Sequence, residues 1–222
     1  LPAPRVPNDR WHKLEIVFWL IPFAVFFLLQ GYLVLAAQIM ILGIFALSLD
    51  LLLGYAGVVS LGHAAFFGLG AYTAGLLAVH GWGEPISGML LGAVVAGIFG
   101  FLCSFLVVRG HDLTRLMVTL GICLMLYEVA NKAAFITGGV DGLWGVSMWK
   151  LFGVFEFDLA GRTAFFYSFA MLFIVFLGVR RLVSSTFGLS LIGIREGVKR
   201  MPAIGVDVNR RLVVVYTISA FL

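Results

Sequence analysis

Residues 54–72 read GYAGVVSLGHAAFFGLGAY, with five glycines, a serine and a histidine in a chain that is otherwise almost continuously apolar. Glycine costs a helix interior roughly 1 kcal/mol per position, and it permits close backbone approach and dihedrals that other residues avoid. The stretch therefore reads as a closely packed, locally irregular helix, with Gly54 and Gly57 turning the chain. Ser60 and His63 stand three apart, which on a helix places them on one face. Distorted helices in membranes often lie beside a substrate path, where freed backbone groups meet a cavity instead of lipid. On that reading Gly57, Ser60, Gly62 and His63 line a pathway. The alternative is a kinked packing helix whose serine bonds its own backbone and whose histidine is a satisfied packing residue.

The surroundings set the class. Hydrophobic residues make up 62% of the chain, charged residues 12%, and mean hydropathy is +1.08. An ordinary soluble domain carries about 25% charged residues, so this chain cannot cover itself with a polar surface and reads as an integral membrane protein. Cys103 and Cys123 both sit in apolar runs, as small buried thiols rather than a disulfide framework. The net charge of +4 fits basic loops kept on the cytoplasmic side of a membrane, not nucleic-acid binding.

Apolar runs of spanning length fall at Leu14–Leu29, Leu33–Leu53, Val58–His80, Ile86–Val108, Leu113–Ala130 and Thr163–Val183, and a seventh opens at Leu212. In hydrocarbon every backbone group must be bonded internally, and continuous runs without period-two alternation exclude a barrel. The expected fold is all-α: a polytopic bundle of six spans plus the start of another. That last run holds about ten residues against the roughly 20 a span needs, so the chain is expected to continue beyond Leu222. Residues 1–13, with three prolines, read as a cytoplasmic tail, and residues 14–222 as one transmembrane domain. A basic tail ahead of an apolar run resembles a signal peptide, but no small-residue cleavage site follows, which leaves an uncleaved first helix.

With the N-terminus in the cytoplasm, twelve Lys and Arg fall inside: Arg5, Arg10, Lys13, Arg109, Arg115, Arg180, Arg181, Arg195, Lys199, Arg200, Arg210 and Arg211. Only Lys132, Lys150 and Arg162 fall outside. That asymmetry orients the bundle. Two loops are long, one outside at 131–162 and one inside at 184–211, and long loops in a compact membrane protein are candidates for partner contact. From Phe187 to Val206 the inside loop reads as one or two short helices with Arg195, Lys199 and Arg200 exposed. Attraction of this basic segment to anionic lipid is the plain alternative.

Gly88, Gly92, Ala96, Gly100 and Ser104 recur every four residues, a row of small side chains up one helix face that lets another helix approach closely. Asp50 and Glu128 are the acids nearest membrane depth and so candidates for function, but neither has a paired acid on a neighbouring turn. No phosphate-binding loop, nucleophile elbow, metal-ligand spacing or cation-channel filter motif is present. Nothing here marks an enzyme: no catalytic residue, cofactor or metal is expected in this chain. Active transport would need an ion gradient or another subunit.

Three stretches carry a family resemblance. LSLDLLLGYAGVVSLGHAAFFGLGAYTAG (Leu47–Gly75) resembles the signature of the branched-chain amino acid permeases of ABC importers, of the LivM type. TGGVDGLWGV (Thr137–Val146) is similar to that family's outside-loop motif, and IREGVKRMPAIGVDVNRRLVVVYTISAF (Ile194–Phe221) to its cytoplasmic coupling segment and following helix. The resemblance implies a multi-pass permease subunit of a bacterial inner membrane. It implies as partners a second homologous permease, two cytoplasmic ATPase subunits that bind the ATP, and a periplasmic binding protein that delivers substrate. It assigns ATPase coupling to Arg195, Glu196 and Gly205, and the outside-loop motif to Gly138, Gly139, Asp141 and Gly142. The alanine pair of the coupling pattern is missing here and Pro202 interrupts it, which predicts two short pieces; Asp50 stands where asparagine is expected.

Within that class, an importer of urea or short-chain amides matches the same motifs. From other classes, a gradient-driven transporter or channel using Asp50, His63 or Glu128, and a purely structural membrane subunit, remain as alternatives.

Overall fold

A computed structural model describes residues 13–222 apart from 111, 152, 154 and 159. Residues 1–12 of the expected tail thus lie outside the described residues, and Lys13 opens the first helix. The elements run α1 Lys13–Leu28, α2 Leu33–Asp50, α3 His63–Val79, α4 Pro85–Arg109, α5 Asp112–Lys132, a single turn α6 Ala134–Thr137, α7 Arg162–Ser184, α8 Thr186–Gly197 and α9 Val208–Phe221. Among the described residues no sheet forms, and Leu151 and Phe155 make one isolated antiparallel bridge. Each expected apolar run contains a helix, though not always over its full length. Four helical stretches, Gln30–Tyr55, Pro85–Arg109, Leu113–Lys132 and Arg162–Val183, are long and apolar enough to cross a membrane. Helices Val17–Leu28 and His63–Val79 are apolar but shorter. Exposed faces carry Phe18, Ile39, Leu42, Ile98, Leu102 and Met125, as helices that meet lipid should.

The row of small residues on α4 is the central seam. Gly88 lies against Ala74 and Gly92 against the Gly70 carbonyl, which seats α3; Gly97 and Gly100 meet Phe221 and Ala220, which seats α9. Backbone contact of this kind replaces the hydrophobic drive that lipid removes. A second contact uses bulk instead. Trp19 of α1 packs edge-on against Phe169, Phe173 and Phe176 of α7 at centroid distances of 5.9, 4.8 and 5.1 Å. Glu15 and Arg180 pair at 2.6 Å near the end of the same interface.

Two helix starts follow from their caps. Ser185 Oγ accepts the Gly188 amide at 3.4 Å ahead of α8, and Asp207 Oδ1 accepts the Arg210 amide at 3.1 Å ahead of α9. Pro202 sits in the first turn of a 3-10 segment, Met201–Ile204, so the 184–211 segment does split into two pieces as its proline predicts.

One expectation is corrected. The run from Val58 was expected to be helical, with Ser60 and His63 on one face; instead α2 winds into a π-helical turn at Leu51–Tyr55 and residues 57–62 are not helical. Gly57 has φ +69, a left-handed conformation that a side chain disfavours, and it redirects the chain there. The helix resumes only at His63.

Candidate functional site

The break between α2 and α3 lies beside a cavity. The amide of Val58, which a continued α-helix would give to Gly54, goes to the Leu52 carbonyl at 3.1 Å. The Leu61 amide is taken by Thr119 Oγ1 of α5 at 3.1 Å. Gly62 lies so close to α5 that a Cβ there would stand 2.5 Å from the Thr119 carbonyl oxygen, so only glycine lets the segment rest on that helix. The non-helical backbone is thus held from two sides.

His63, 3% exposed, opens α3. Its Nε2 lies 3.0 Å from Ser219 Oγ of α9, and the Ser219 hydroxyl donates in turn to the Ser48 carbonyl of α2. A serine has one hydroxyl proton, and here it goes to the carbonyl. The proton of the His63–Ser219 bond therefore sits on Nε2. Three helices that are distant in sequence are tied at this one point. His63 Nδ1 is buried without a hydrogen-bond partner among the described residues.

Beside this knot lies a cavity of about 540 Å³ between α2, α3, α4, α7 and the end of α9. Its walls are aliphatic and aromatic, from Ile44, Phe67, Ala93, Met171 and Val175 among others. Ser48, His63, Tyr167, Ser168 and Ser219 supply side-chain hydroxyls and one imidazole, and no Asp, Glu, Lys or Arg is among its described lining residues. The Tyr167 hydroxyl donates toward the Pro85 carbonyl at 3.3 Å and Met89 Sδ at 3.2 Å. Met148 and Phe157 of the 131–162 loop close part of the wall.

The sequence-derived residues divide into three groups. His63 lines the cavity; Gly57, Ser60 and Gly62 shape the break that positions it. In the 131–162 loop, Gly138 and Gly142 meet in a tight turn, Gly139 is buried, Asp141 is exposed, and Leu143 reaches onto Gly75 of α3. That loop is also tied to the α3–α4 connection by the Trp149 amide on the Gly83 carbonyl at 2.8 Å. In the 184–211 segment Arg195, Glu196 and Gly205 are all exposed, and Arg195 reaches back to the Gly54 carbonyl. Of the two acids, Glu128 pairs with Lys132 at 3.2 Å on an exposed surface of α5, and Asp50 is exposed with its carboxylate over Gly54. Sequence reading missed Ser48, Thr119, Tyr167 and Ser219, which are single hydroxyls in apolar helices and carry no motif of their own.

The family described as "Branched-chain amino acid transport system / permease component" matches residues 31–222. The chain belongs to that family. It is 28% identical over 221 residues to the high-affinity branched-chain amino acid transport system permease protein LivM of Escherichia coli (strain K12), covering 88% of this chain and 51% of that protein. Identity to the LivM protein of Salmonella typhimurium (strain LT2) is also 28%, over 217 residues, with the same two shares. The chain spans about half the length of the curated relatives it matches. No solved structure matches it significantly. That family is described as the permease component of a transport system, and the helices of this chain include four that are long and apolar enough to cross a membrane.

Proposed function

We propose that this chain forms part of the permease subunit of an ATP-driven importer in a bacterial inner membrane, moving branched-chain or other hydrophobic amino acids. The observation that carries the substrate class is the 540 Å³ cavity with its aliphatic and aromatic walls. Such walls suit an aliphatic side chain, whereas urea or a short amide would lose its hydrogen bonds to water and find few replacements. The absence of charge from the described lining fits a path that passes substrate on rather than holding it, with selection left to a periplasmic binding protein.

In this reading six helices (α1, α2, α3, α4, α5 and α7) cross the membrane, α9 begins another, and the N-terminus is cytoplasmic. Twelve basic residues on the inside against three on the outside support that orientation. Two cytoplasmic ATPase subunits supply the energy, since this chain has no nucleotide loop, and a second homologous permease completes the path. Exposed Glu196 and Gly205, with Val198, Lys199, Arg200 and Ile204 exposed in the same segment, form the surface that meets the ATPase. ATP turnover there moves α8, and the bundle alternates its opening around the cavity.

The test is affinity purification of the full-length protein from its native membrane, followed by uptake of labelled leucine in vesicles. A P-loop ATPase and a second permease should come along in stoichiometric amounts, and isoleucine and valine, not urea, should compete for uptake. Glu196→Lys should lower transport while the protein remains inserted. A chain that purifies alone, with uptake that follows the proton gradient and ignores ATP depletion, would overturn the reading in favour of a gradient-driven transporter.

A further inference from the structure

We infer that Arg195 is a positioning residue: its guanidinium holds the break between α2 and α3, so that α8 and the cavity wall move as one. Three contacts carry this. First, the Arg195 side chain donates through Nη1 to the carbonyl of Gly54, 141 residues earlier. That carbonyl lost its helical partner when Val58 turned to Leu52, so the guanidinium caps the end of one helix from another. Second, the stem of Arg195 lies on the turn itself. A Cβ at Gly57 would stand 3.0 Å from Arg195 Cγ, 3.3 Å from its Cβ and 3.6 Å from its Cα. Third, Leu191 and Ile194 of α8 are buried in one apolar cluster with Leu51 and Leu52 of the π turn, which anchors α8 to the same place.

From this clamp the chain runs through the six residues Gly57–Gly62 to His63 at the cavity. A displacement of α8 is therefore passed to the break by a charged hydrogen bond and by direct packing. The segment that must respond is backbone with few bonds of its own, held by Leu52 and Thr119. A lysine in place of Arg195 keeps the charge but not the planar fork that reaches a carbonyl while its stem lies over a glycine. Arg195, though exposed, thus acts within the chain through its guanidinium and stem, beside the equally exposed Glu196.

The transport side of this inference rests on the importer reading, so the test has one readout that does not. In the purified full-length protein, Arg195→Met keeps the stem and removes the donor. Amide hydrogen exchange at Val58 and Leu61, the bonded amides of this stretch, should rise about tenfold, the loss of one charge-assisted hydrogen bond, with exchange in α4 unchanged. Arg195→Lys should lie between the two. Unchanged exchange in Arg195→Met overturns the clamp, whatever the protein transports. In the native complex, the ATPase should remain bound to Arg195→Met and hydrolyse ATP, while substrate moved per ATP falls about tenfold. Wild-type transport per ATP, or loss of the ATPase from the complex, would also overturn it; the second would make Arg195 a docking residue. A wild-type protein that brings no ATPase sinks the importer reading while leaving the exchange result to decide the clamp.

Discussion

His63 Nε2 and Ser219 Oγ lie 3.0 Å apart, joining the first turn of α3 to the last turns of α9 across 156 residues of sequence. Both side chains are buried, and the same serine bonds the Ser48 carbonyl. Ser219→Ala removes both bonds and strands the His63 Nε2 proton, at a cost of about 1–3 kcal/mol. The expected result is a lower unfolding midpoint in detergent and, under the proposed function, slower uptake. An unchanged midpoint would mean the knot contributes nothing to the bundle.

Close approach along α4 predicts a contrast between two glycines. A Cβ at Gly92 would stand 2.7 Å from the Gly70 carbonyl oxygen, whereas nothing lies within 4 Å of one at Gly121 of α5. Gly92→Ala should cost about 1–3 kcal/mol by forcing α3 and α4 apart. Gly121→Ala should be neutral or stabilising by up to about 1 kcal/mol, through helix propensity alone. Thermal midpoints and yields of the two variants, compared side by side, check this.

Thr119 is fully buried and holds the Leu61 amide at 3.1 Å. Valine has nearly the same shape without the hydroxyl, so Thr119→Val leaves that amide without its acceptor, at about 1–3 kcal/mol. Thr119→Ser keeps the bond. Hydrogen exchange at Leu61 should quicken in the valine variant and stay close to wild type in the serine one.

In the loop, Gly138 has φ +75, and a Cβ there would fall 1.9 Å from the Gly142 carbonyl oxygen. Gly138→Ala combines left-handed strain of about 1–2 kcal/mol with that collision. The turn should open, and limited proteolysis between residues 138 and 162 should speed up. A cleavage rate equal to wild type would show that the turn does not hold the loop.

The amino-acid sequence by itself determined the class, the helices and one packing face. Runs such as Ile86–Val108 are long enough and apolar enough that a helix is the one way to satisfy their backbone in hydrocarbon. The row from Gly88 to Ser104 is legible because a helix repeats nearly every four residues, so a seam shows as spacing. Glycines between Gly54 and Gly62 announced an irregular backbone, and Pro202 a division of the 184–211 segment.

Only the tertiary structure decided what those irregularities do. The length of the non-helical stretch depends on Thr119 lying across from Leu61 and on Arg195 lying across from Gly54, contacts spanning 58 and 141 residues. Hydrogen-bond partners so far apart leave no period in the chain. Ser219 and Ser48 look like any serines of an apolar helix until α2, α3 and α9 converge and the single hydroxyl proton has to choose its acceptor. Local spacing sets which groups a helix shows, while the meeting of distant helices sets which of those groups find one another.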